Sequence, residues 1–201
     1  MLKLGINGLG RIGRAVFKIL ENQKDISVVV VNDIDPHIQN HAYLLNFDTI
    51  YGRLEKKIEV DLEHNFIISD QNRIAFYSEK SIKNVPWKKS DVDVIIDCSG
   101  IFDNVIASHS LIDKDIKKVI ITHSPKDHID QTVIIAANED KYSNGLHHVI
   151  SSSICDANAC APVLRLIDKN FGIKDGAITT LHPWLGYQNL IDGSLKSVSN
   201  R

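Results

Sequence analysis

Short apolar runs alternate along the first three quarters of the chain with stretches in which apolar residues recur at helical spacing. The run 27–31 (SVVVV) is continuously apolar, which is typical of a parallel strand buried on both faces. Strands and helices in regular alternation predict an α/β fold with a doubly wound parallel sheet. The predicted strands are 2–6, 27–31, 92–96, 119–122, 133–137 and 148–152, and the predicted helices between them are 11–21, 37–45 and 105–113.

Three further runs interrupt this alternation. Residues 58–60, 66–68 and 74–77 are short apolar segments separated by polar turns. This spacing is typical of strands that are joined by tight connections. We therefore predict a small antiparallel excursion between the parallel strands.

The pattern changes beyond residue 150. Residues 157–170 predict a long helix that contains Pro162. Because proline is tolerated in the first turn of a helix and is costly deeper in, we expect this helix to begin close to Ala159. Gly172 is expected to end it, and residues 176–181 (GAITTL) predict one more strand.

Composition and charge narrow the class of protein. The 201 residues are 43% hydrophobic and 24% charged, which is ordinary for a globular protein with a real core. The formal net charge of −2 leaves no basic footprint, so nucleic acid is not expected as the main partner. No apolar run approaches the roughly 20 residues that span a bilayer, and the N-terminus lacks the features of a signal peptide. Three cysteines, an odd number, argue against a disulfide framework, so we expect a cytoplasmic protein.

A glycine signature follows the first predicted strand and opens the first predicted helix. Gly8, Gly10 and Gly13 form G-x-G-x-x-G. The first glycine permits a tight turn, the second lets the backbone approach a pyrophosphate, and the third allows close helix–strand packing. Asp33 follows Gly13 by 20 residues (33 − 13), where a carboxylate bonds ribose hydroxyls and repels a 2′-phosphate. The signature predicts a Rossmann-type domain that binds NAD rather than NADP; the alternative is a glycine-rich turn in an unrelated α/β protein.

Two further segments carry candidate chemistry. Ser99 and Gly100 follow a predicted strand, where a small-residue loop would admit the nicotinamide half of the cofactor, although a plain turn explains them equally well. Cys155 stands between the end of a predicted strand and the start of a predicted helix, and His182 lies one helix and one strand further on. A thiol and an imidazole are the groups that thiol-based aldehyde chemistry needs. Taken alone, a buried cysteine is usually inert, and no set of three metal ligands has convincing spacing, so no metal is expected.

These segments together resemble the glyceraldehyde-3-phosphate dehydrogenase family. The resemblance covers essentially the whole chain, in order and at family-like spacing. Its segments are the fingerprint 5–14 (GINGLGRIGR), the blocks 32–33 (ND) and 43–52 (YLLNFDTIYG), the loop 99–102 (SGIF), the nucleophile segment with Cys155, Asn158 and 160–162 (CAP), and 179–182 (TTLH).

The resemblance implies an NAD-dependent oxidation of a small aldehyde. Cys155 would attack the aldehyde to form a thiohemiacetal, hydride transfer to NAD would leave an acyl thioester, and His182 would act as the base. Arg11 would be a phosphate partner, although a solvated arginine in a first helical turn is the alternative. The cofactor-binding positions that the resemblance implies are Asn7, Gly8, Gly10, Arg11, Ile12, Gly13, Asp33, Ser99 and Gly100.

The chain departs from the family around the substrate. The family motif at the nucleophile reads Ser-Cys-Thr-Thr-Asn-Cys, whereas Ile154 and Asp156 flank Cys155 here. Ile154 offers no side-chain hydrogen bond, and Asp156 would repel a phosphate. Leu185 and Tyr187 stand where the family commonly has Thr and Asp near the substrate phosphate. Altered anion pockets fit another aldehyde, or water in place of phosphate as the acyl acceptor. A paralogue that binds NAD without turnover and an ordinary phosphorylating enzyme are the alternatives.

The same resemblance predicts the domain organisation. We expect residues 1–150 to form the NAD-binding Rossmann domain and residues 151–201 to form the start of an α+β catalytic domain. About 50 residues cannot complete a sizeable core, and family members run to about 330 residues in two domains. The chain is therefore expected to be truncated within the catalytic domain, as a fragment or with a companion piece. The resemblance also implies a homo-oligomer, namely a tetramer.

Overall fold

The computed structural model describes residues 1–70, 72–112, 116–125 and 127–181. The helices are α1 (Arg11–Leu20), α2 (Ile38–Asn46), α3 (Phe102–Ile112) and α4 (Cys155–Phe171). The strands are β1 (Leu2–Asn7), β2 (Ile26–Asn32), β3 (Phe47–Asp48), β4 (Gly52–Arg53), β5 (Ile58–Asp61), β6 (Phe66–Ser69), β7 (Asn72–Tyr77), β8 (Val94–Asp97), β9 (Lys118–Ile121), β10 (Gln131–Thr132) and β11 (Val149–Ser151).

Nine of the strands in the described part of the chain form one sheet, in the order β10-β11-β9-β8-β1-β2-β7-β6-β5. β1 pairs in parallel with β2 on one side and with β8 on the other. The chain runs outward from β1 through β2 and later returns to β8, so the strand order reverses between β1 and β8. Doubly wound sheets bind ligands at such a reversal, beyond the carboxyl ends of the strands. The predicted α/β fold with a Rossmann-type doubly wound parallel sheet is confirmed.

The predicted antiparallel excursion consists of β5, β6 and β7. β6 pairs antiparallel with both of its neighbours. β7 also pairs in parallel with β2. The excursion therefore extends the main sheet instead of forming a sheet of its own.

Apolar side chains cover both faces of the sheet. Val30 and Val31 are neighbours in β2 and both are fully buried, but they belong to different hydrophobic clusters. Successive side chains of a strand point to opposite faces, so the two clusters lie on opposite sides of the sheet. Val31 shares its cluster with Phe17 of α1 and Leu45 of α2, and Val30 shares its cluster with Val105 of α3. This arrangement explains the continuously apolar run in β2.

Two predicted strands are wrong. Residues 133–137 form no strand, because β10 ends at Thr132 and the chain then turns. The Asn138 side chain accepts the backbone N–H of Ile134 at 2.7 Å, and Ala136 has a φ of 61°. Residues 176–181 are exposed and pair with no other strand of the described residues. A β-branched composition favours a strand only where a neighbouring strand takes up the backbone hydrogen bonds.

The predicted start of the last helix is also wrong. α4 begins at Cys155 and not near Ala159, so Pro162 lies inside the helix. The Nδ2 atom of Asn158 donates to the backbone oxygen of Ile154 at 2.9 Å, which closes the first turn ahead of the proline. Gly172 ends the helix with a φ of 74°, as predicted.

A buried ion pair fastens α1 to the segment that follows α2. The guanidinium Nε of Arg14 lies 3.2 Å from Oδ2 of Asp48, and both side chains are almost fully buried. The other carboxylate oxygen accepts the backbone N–H groups of Ile50 and Tyr51 at 2.9 and 2.8 Å. Burial by itself would raise the pKa of Asp48. The two N–H donors and then Arg14 lower this pKa by more than burial raises it, so the pKa lies below its ordinary value. The carboxylate is therefore charged at neutral pH.

Asp48→Asn is expected to lower the free energy of unfolding at pH 7 by about 3 kcal/mol or more, because it removes the carboxylate that pairs with the buried Arg14 guanidinium. Since folding lowers the pKa of Asp48, its contribution is present above the unfolded pKa and is lost as the pH falls through the folded pKa. The difference between wild type and variant should therefore shrink in acid. Urea denaturation at several pH values measures both effects.

Glu59→Gln is the matched control for that experiment. Its partner Lys57 is 79% exposed and the Glu59 side chain is 59% exposed. Exposed pairs contribute about 0–1 kcal/mol, so a similar loss of stability in both variants would contradict the assigned role of Asp48.

Candidate active site

The glycine turn between β1 and α1 lies at the carboxyl edge of the sheet, where the strand order reverses. The N–H of Gly8 donates to the backbone oxygen of Asn32 at 2.7 Å, and Gly8 has a φ of 92°. A Cβ atom at Gly8 would lie 2.8 Å from the backbone nitrogen of Ser99. A Cβ at Gly13 would lie 2.0 Å from the backbone oxygen of Gly8. Both glycines are therefore required by the protein's own packing.

Gly10 differs from the other two glycines, since a Cβ placed on it would meet no atom within 4 Å. Gly10 is the N-cap residue of α1, and no side chain caps this end or places an acid in the first turn. Ile12, in that turn, is 49% exposed. Uncapped helix N-termini bind anions through their N–H groups and dipole. Open space above Gly10 and an uncapped helix end fit the pyrophosphate of a dinucleotide.

Asp33 fastens the glycine turn to the end of β2. Its Oδ2 atom accepts the N–H of Leu9 at 2.7 Å, and its Oδ1 atom accepts the N–H of Asp35 at 3.0 Å. The Nε2 atom of His41 lies 3.8 Å from Oδ1, and the Asp33 side chain is 15% exposed. Each carboxylate oxygen has two lone pairs, so both oxygens retain the capacity to accept ribose hydroxyls. The geometry fits the predicted role of Asp33 and adds a structural one.

A buried hydrogen-bond chain, here called the polar ladder, joins Asn32, Asn7 and Asp97 across the ends of β2, β1 and β8. Asn32 Nδ2 donates to Asn7 Oδ1, and Asn7 Nδ2 donates to Asp97 Oδ1, each at 2.8 Å. All three residues are at most 2% exposed. The side-chain amide of Asn7 is engaged by these two neighbours, and its predicted contact with the cofactor stays a prediction. The sequence analysis missed Asn32 and Asp97 as partners of Asn7. The available signal was that each of three buried strands ends in a polar residue.

Ser99 and Gly100 follow the polar ladder at the end of β8. The Ser99 N–H donates to Asp97 Oδ1 at 3.1 Å, and its hydroxyl accepts the Asn104 side chain at 3.0 Å. Gly100 has a φ of 68°, and a Cβ there would meet nothing within 4 Å. Asp97 Oδ2 is buried and has no hydrogen-bond partner. This loop is thus held rigidly by Ser99 and leaves open space at Gly100, as a cofactor loop requires.

Cys98 lies behind the glycine turn, and its side chain is half-buried. Its Cβ atom lies 3.6 Å from the position that a Cβ at Gly13 would take. Burial raises the pKa of the Cys98 thiol to about 12; a hydrogen bond with Thr122 opposes the shift and the charge of Asp97 adds to it. With its pKa raised in this way, the Cys98 thiol is expected to stay protonated at neutral pH and to be a weak nucleophile.

Cys155 is an exposed thiol and the first residue of α4. Its Sγ atom lies 3.7 Å from Oδ1 of the adjacent Asp156. Because α4 follows β11 directly, Cys155 emerges at the same carboxyl edge of the sheet as the glycine turn. His182, Leu185 and Tyr187 lie outside the described residues, so the pairing of Cys155 with His182 stays a prediction.

Hydrogen bonds hold the turn that precedes Cys155. Ser151 is fully buried, and its hydroxyl donates to the backbone oxygen of His123 and accepts the N–H of Ser153 at 2.9 Å. Ser153 has a φ of 66°. Asn158 Nδ2 donates to the backbone oxygen of Ser152 at 2.8 Å. The nucleophile therefore stands on a constrained turn.

Neither a metal site nor a membrane-spanning helix is formed by the described residues. No group of three His, Cys, Asp or Glu side chains there is placed to hold a metal ion. Within the same residues, no helix has the length and apolar character to cross a membrane.

Gly10→Ala is expected to leave the fold intact and to weaken NAD binding about tenfold or more, because the new methyl group enters the space above the helix end. Calorimetric titration with NAD, beside urea denaturation, separates the two effects. Gly145→Ala is the matched control, since a Cβ there also meets no atom within 4 Å and Gly145 lies far along the chain. Equal NAD affinity in Gly10→Ala and wild type would contradict this assignment.

Iodoacetamide is expected to alkylate Cys155 in the native protein and to leave Cys98 unmodified until the chain unfolds. With a pKa of about 12, Cys98 forms a thiolate far less readily than an ordinary thiol, so its reaction should be at least about a hundredfold slower. Mass spectrometry of peptides taken over time measures each rate. Rapid native-state labelling of Cys98 in a Cys155→Ser variant would show that the pKa of Cys98 is not raised.

Comparison with known proteins agrees with this geometry. Residues 2–105 match the NAD-binding domain of glyceraldehyde 3-phosphate dehydrogenase, and residues 154–201 match the C-terminal domain of the same family. Among the curated relatives, the glyceraldehyde-3-phosphate dehydrogenase of Streptomyces coelicolor is 40% identical over 192 residues, which are 95% of this chain and 56% of the relative. Glyceraldehyde-3-phosphate dehydrogenase 3 of Saccharomyces cerevisiae is 37% identical over 195 residues, which are 96% of this chain and 57% of the relative.

The chain thus spans little more than half the length of the relatives that it matches. The prediction of NAD as the cofactor is confirmed by the match to the NAD-binding domain. Along the chain, the match to the NAD-binding domain comes first and the match to the C-terminal domain follows it. This chain belongs to the glyceraldehyde-3-phosphate dehydrogenase family of NAD-dependent oxidoreductases.

Proposed function

We propose that the protein oxidises an aldehyde with NAD as the hydride acceptor and with Cys155 as the nucleophile. The observation that carries the proposal is the position of Cys155, whose exposed thiol begins α4 at the sheet edge that also bears the glycine turn. Membership of an NAD-dependent oxidoreductase family supports the reaction class. The raised pKa of Cys98 supports Cys155 in preference to that thiol.

Cys155 performs the covalent step of the proposed reaction. Its sulfur adds to the aldehyde carbon and forms a thiohemiacetal. NAD, when bound, supplies a hydride acceptor, so that loss of hydride from this carbon leaves an acyl thioester on Cys155. The covalent intermediate divides one difficult reaction into two easier ones.

The first turn of α4 supports the negative charge that develops on the aldehyde oxygen. Ile154 is the N-cap residue, and no side chain caps this end of the helix. Backbone N–H groups and the positive end of the helix dipole therefore face the reacting centre. His182 is proposed as the base on the strength of the family resemblance.

Glyceraldehyde 3-phosphate as the substrate, with phosphate as the acyl acceptor, is the second candidate. The names of the relatives favour this substrate. The environment of Cys155 opposes the phosphate acceptor, because Ile154 is apolar and 44% exposed and Asp156 is a carboxylate in contact with the thiol. An altered substrate or acyl acceptor is therefore the preferred form of the proposal.

We also propose a domain boundary near residue 150. β11 (Val149–Ser151) still pairs with β9 of the main sheet, and α4 begins four residues after Ser151 (155 − 151). The cytoplasmic location is proposed from the cysteine count, and the homo-oligomeric state, a tetramer, from the family resemblance.

Cys155→Ser is expected to reduce NADH formation by about a thousandfold or more, because the hydroxyl is a far weaker nucleophile than the thiol. Absorbance of NADH, followed with a panel of phosphorylated and unphosphorylated aldehydes, measures the rate. The assay uses the full natural polypeptide that carries this chain. Cys160→Ser is the control and should retain activity within about twofold.

The same assay distinguishes the alternatives. NAD binding in the calorimeter without NADH formation from any aldehyde would establish a non-catalytic paralogue and sink the proposal. A turnover rate that rises with added inorganic phosphate on glyceraldehyde 3-phosphate would establish the second candidate.

A further inference from the structure

Asp156 is a charged side chain in contact with the proposed nucleophile. Its Oδ1 atom lies 3.7 Å from Cys155 Sγ and accepts a hydrogen bond from the thiol. Cys155 is exposed and Asp156 is half-buried beside it. A carboxylate is therefore held next to the atom that would carry the acyl group.

The local fold keeps Asp156 in this position. Asp156 lies in the first turn of α4, where the helix dipole favours a negative side chain. The preceding turn is fastened by the bond from Ser153 to the Ser151 hydroxyl at 2.9 Å and by the bond from Asn158 to Ile154 at 2.9 Å. Cys155 and Asp156 thus share one constrained helix start.

None of the ion pairs between described residues includes Asp156. A carboxylate that pairs with no cation of the described residues repels an approaching phosphate, which carries a charge of the same sign. It attracts neutral water, because an ionised carboxylate accepts hydrogen bonds at both oxygens. The charge that disfavours phosphate at this position is thus suited to a water molecule.

We propose that Asp156 is a catalytic residue: the general base that directs water onto the Cys155 thioester, so that the product is a free carboxylic acid. This inference rests on the proposed function, which supplies the thioester. The water oxygen forms a bond to the acyl carbon while Asp156 accepts a proton from that water. The bond between this carbon and Sγ then breaks, the sulfur leaves with its electron pair, and the proton passes from Asp156 to the sulfur. The net change is thioester plus water to carboxylic acid plus thiol, with no further reactant. A base that acts through one water is within the usual reach of general base catalysis.

The decisive experiment is a rapid-mixing assay of the full natural polypeptide with NAD and an aldehyde, in buffer without phosphate. The first turnover produces an NADH burst that reports thioester formation, and the following steady rate reports release of the acyl group. Asp156→Asn is expected to keep the burst amplitude and to lower the steady rate by about a hundredfold or more, as for loss of a general base. Asp168→Asn, an exposed aspartate further along α4, is the matched control and should leave both phases unchanged.

Asp156→Thr provides a second and independent readout. Removing the charge should admit phosphate, so the steady rate of this variant should rise with phosphate and the acyl phosphate should be visible by phosphorus NMR. The wild-type rate should ignore phosphate and yield the free acid. A normal wild-type burst followed by turnover that requires phosphate would overturn the role of Asp156 and leave the proposed function standing. A missing burst would overturn the proposed function, and this inference with it.

Discussion

The polar ladder of Asn32, Asn7 and Asp97 is the interaction on which the nucleotide edge depends. It joins the carboxyl ends of three adjacent parallel strands through two buried hydrogen bonds of 2.8 Å. The loops at these ends bond to the same residues, since Gly8 donates to the Asn32 backbone and Ser99 donates to the Asp97 side chain. A buried network of this kind is costly when any member is left unpaired, and it therefore specifies one arrangement. Through it, the glycine turn and the Ser99 loop are held against each other at this edge of the sheet.

The nucleophile is positioned in a different way. α4 has no buried residue among those described, and apolar side chains such as Leu166 and Phe171 are 65% and 87% exposed. Its start is held by polar contacts through Ser151 and Asn158, and Arg165 bonds the Ala137 backbone further along. Among the described residues, it is thus the end of β11 and the turn that follows that hold Cys155, and no packing of the helix face contributes.

The sequence-based predictions succeeded where local spacing decides the structure and failed where a particular side-chain hydrogen bond decides it. The glycine signature and the buried strand of residues 27–31 depend on local spacing, and both were predicted. The turn after Thr132 was not predicted. It depends on the hydrogen bond that the Asn138 side chain accepts from the backbone N–H of Ile134, and composition does not reveal this bond. The early start of α4 was missed because Asn158 and the Ser153 turn begin the helix ahead of Pro162. In both failures a side chain forms a hydrogen bond with the backbone. Such bonds compete with the secondary structure that the intrinsic propensities of the residues favour.

The sequence by itself determined the chain's fold class, its cofactor and the identity of its candidate nucleophile. These follow from periodicity, from the few residue types that tolerate a tight turn, and from a family resemblance that extends along the chain. Only the tertiary structure decided that the Asn7 side chain joins Asn32 and Asp97 and that burial raises the pKa of Cys98. Burial, orientation and contact depend on which strands become neighbours, and parallel strands acquire neighbours that are distant in the chain.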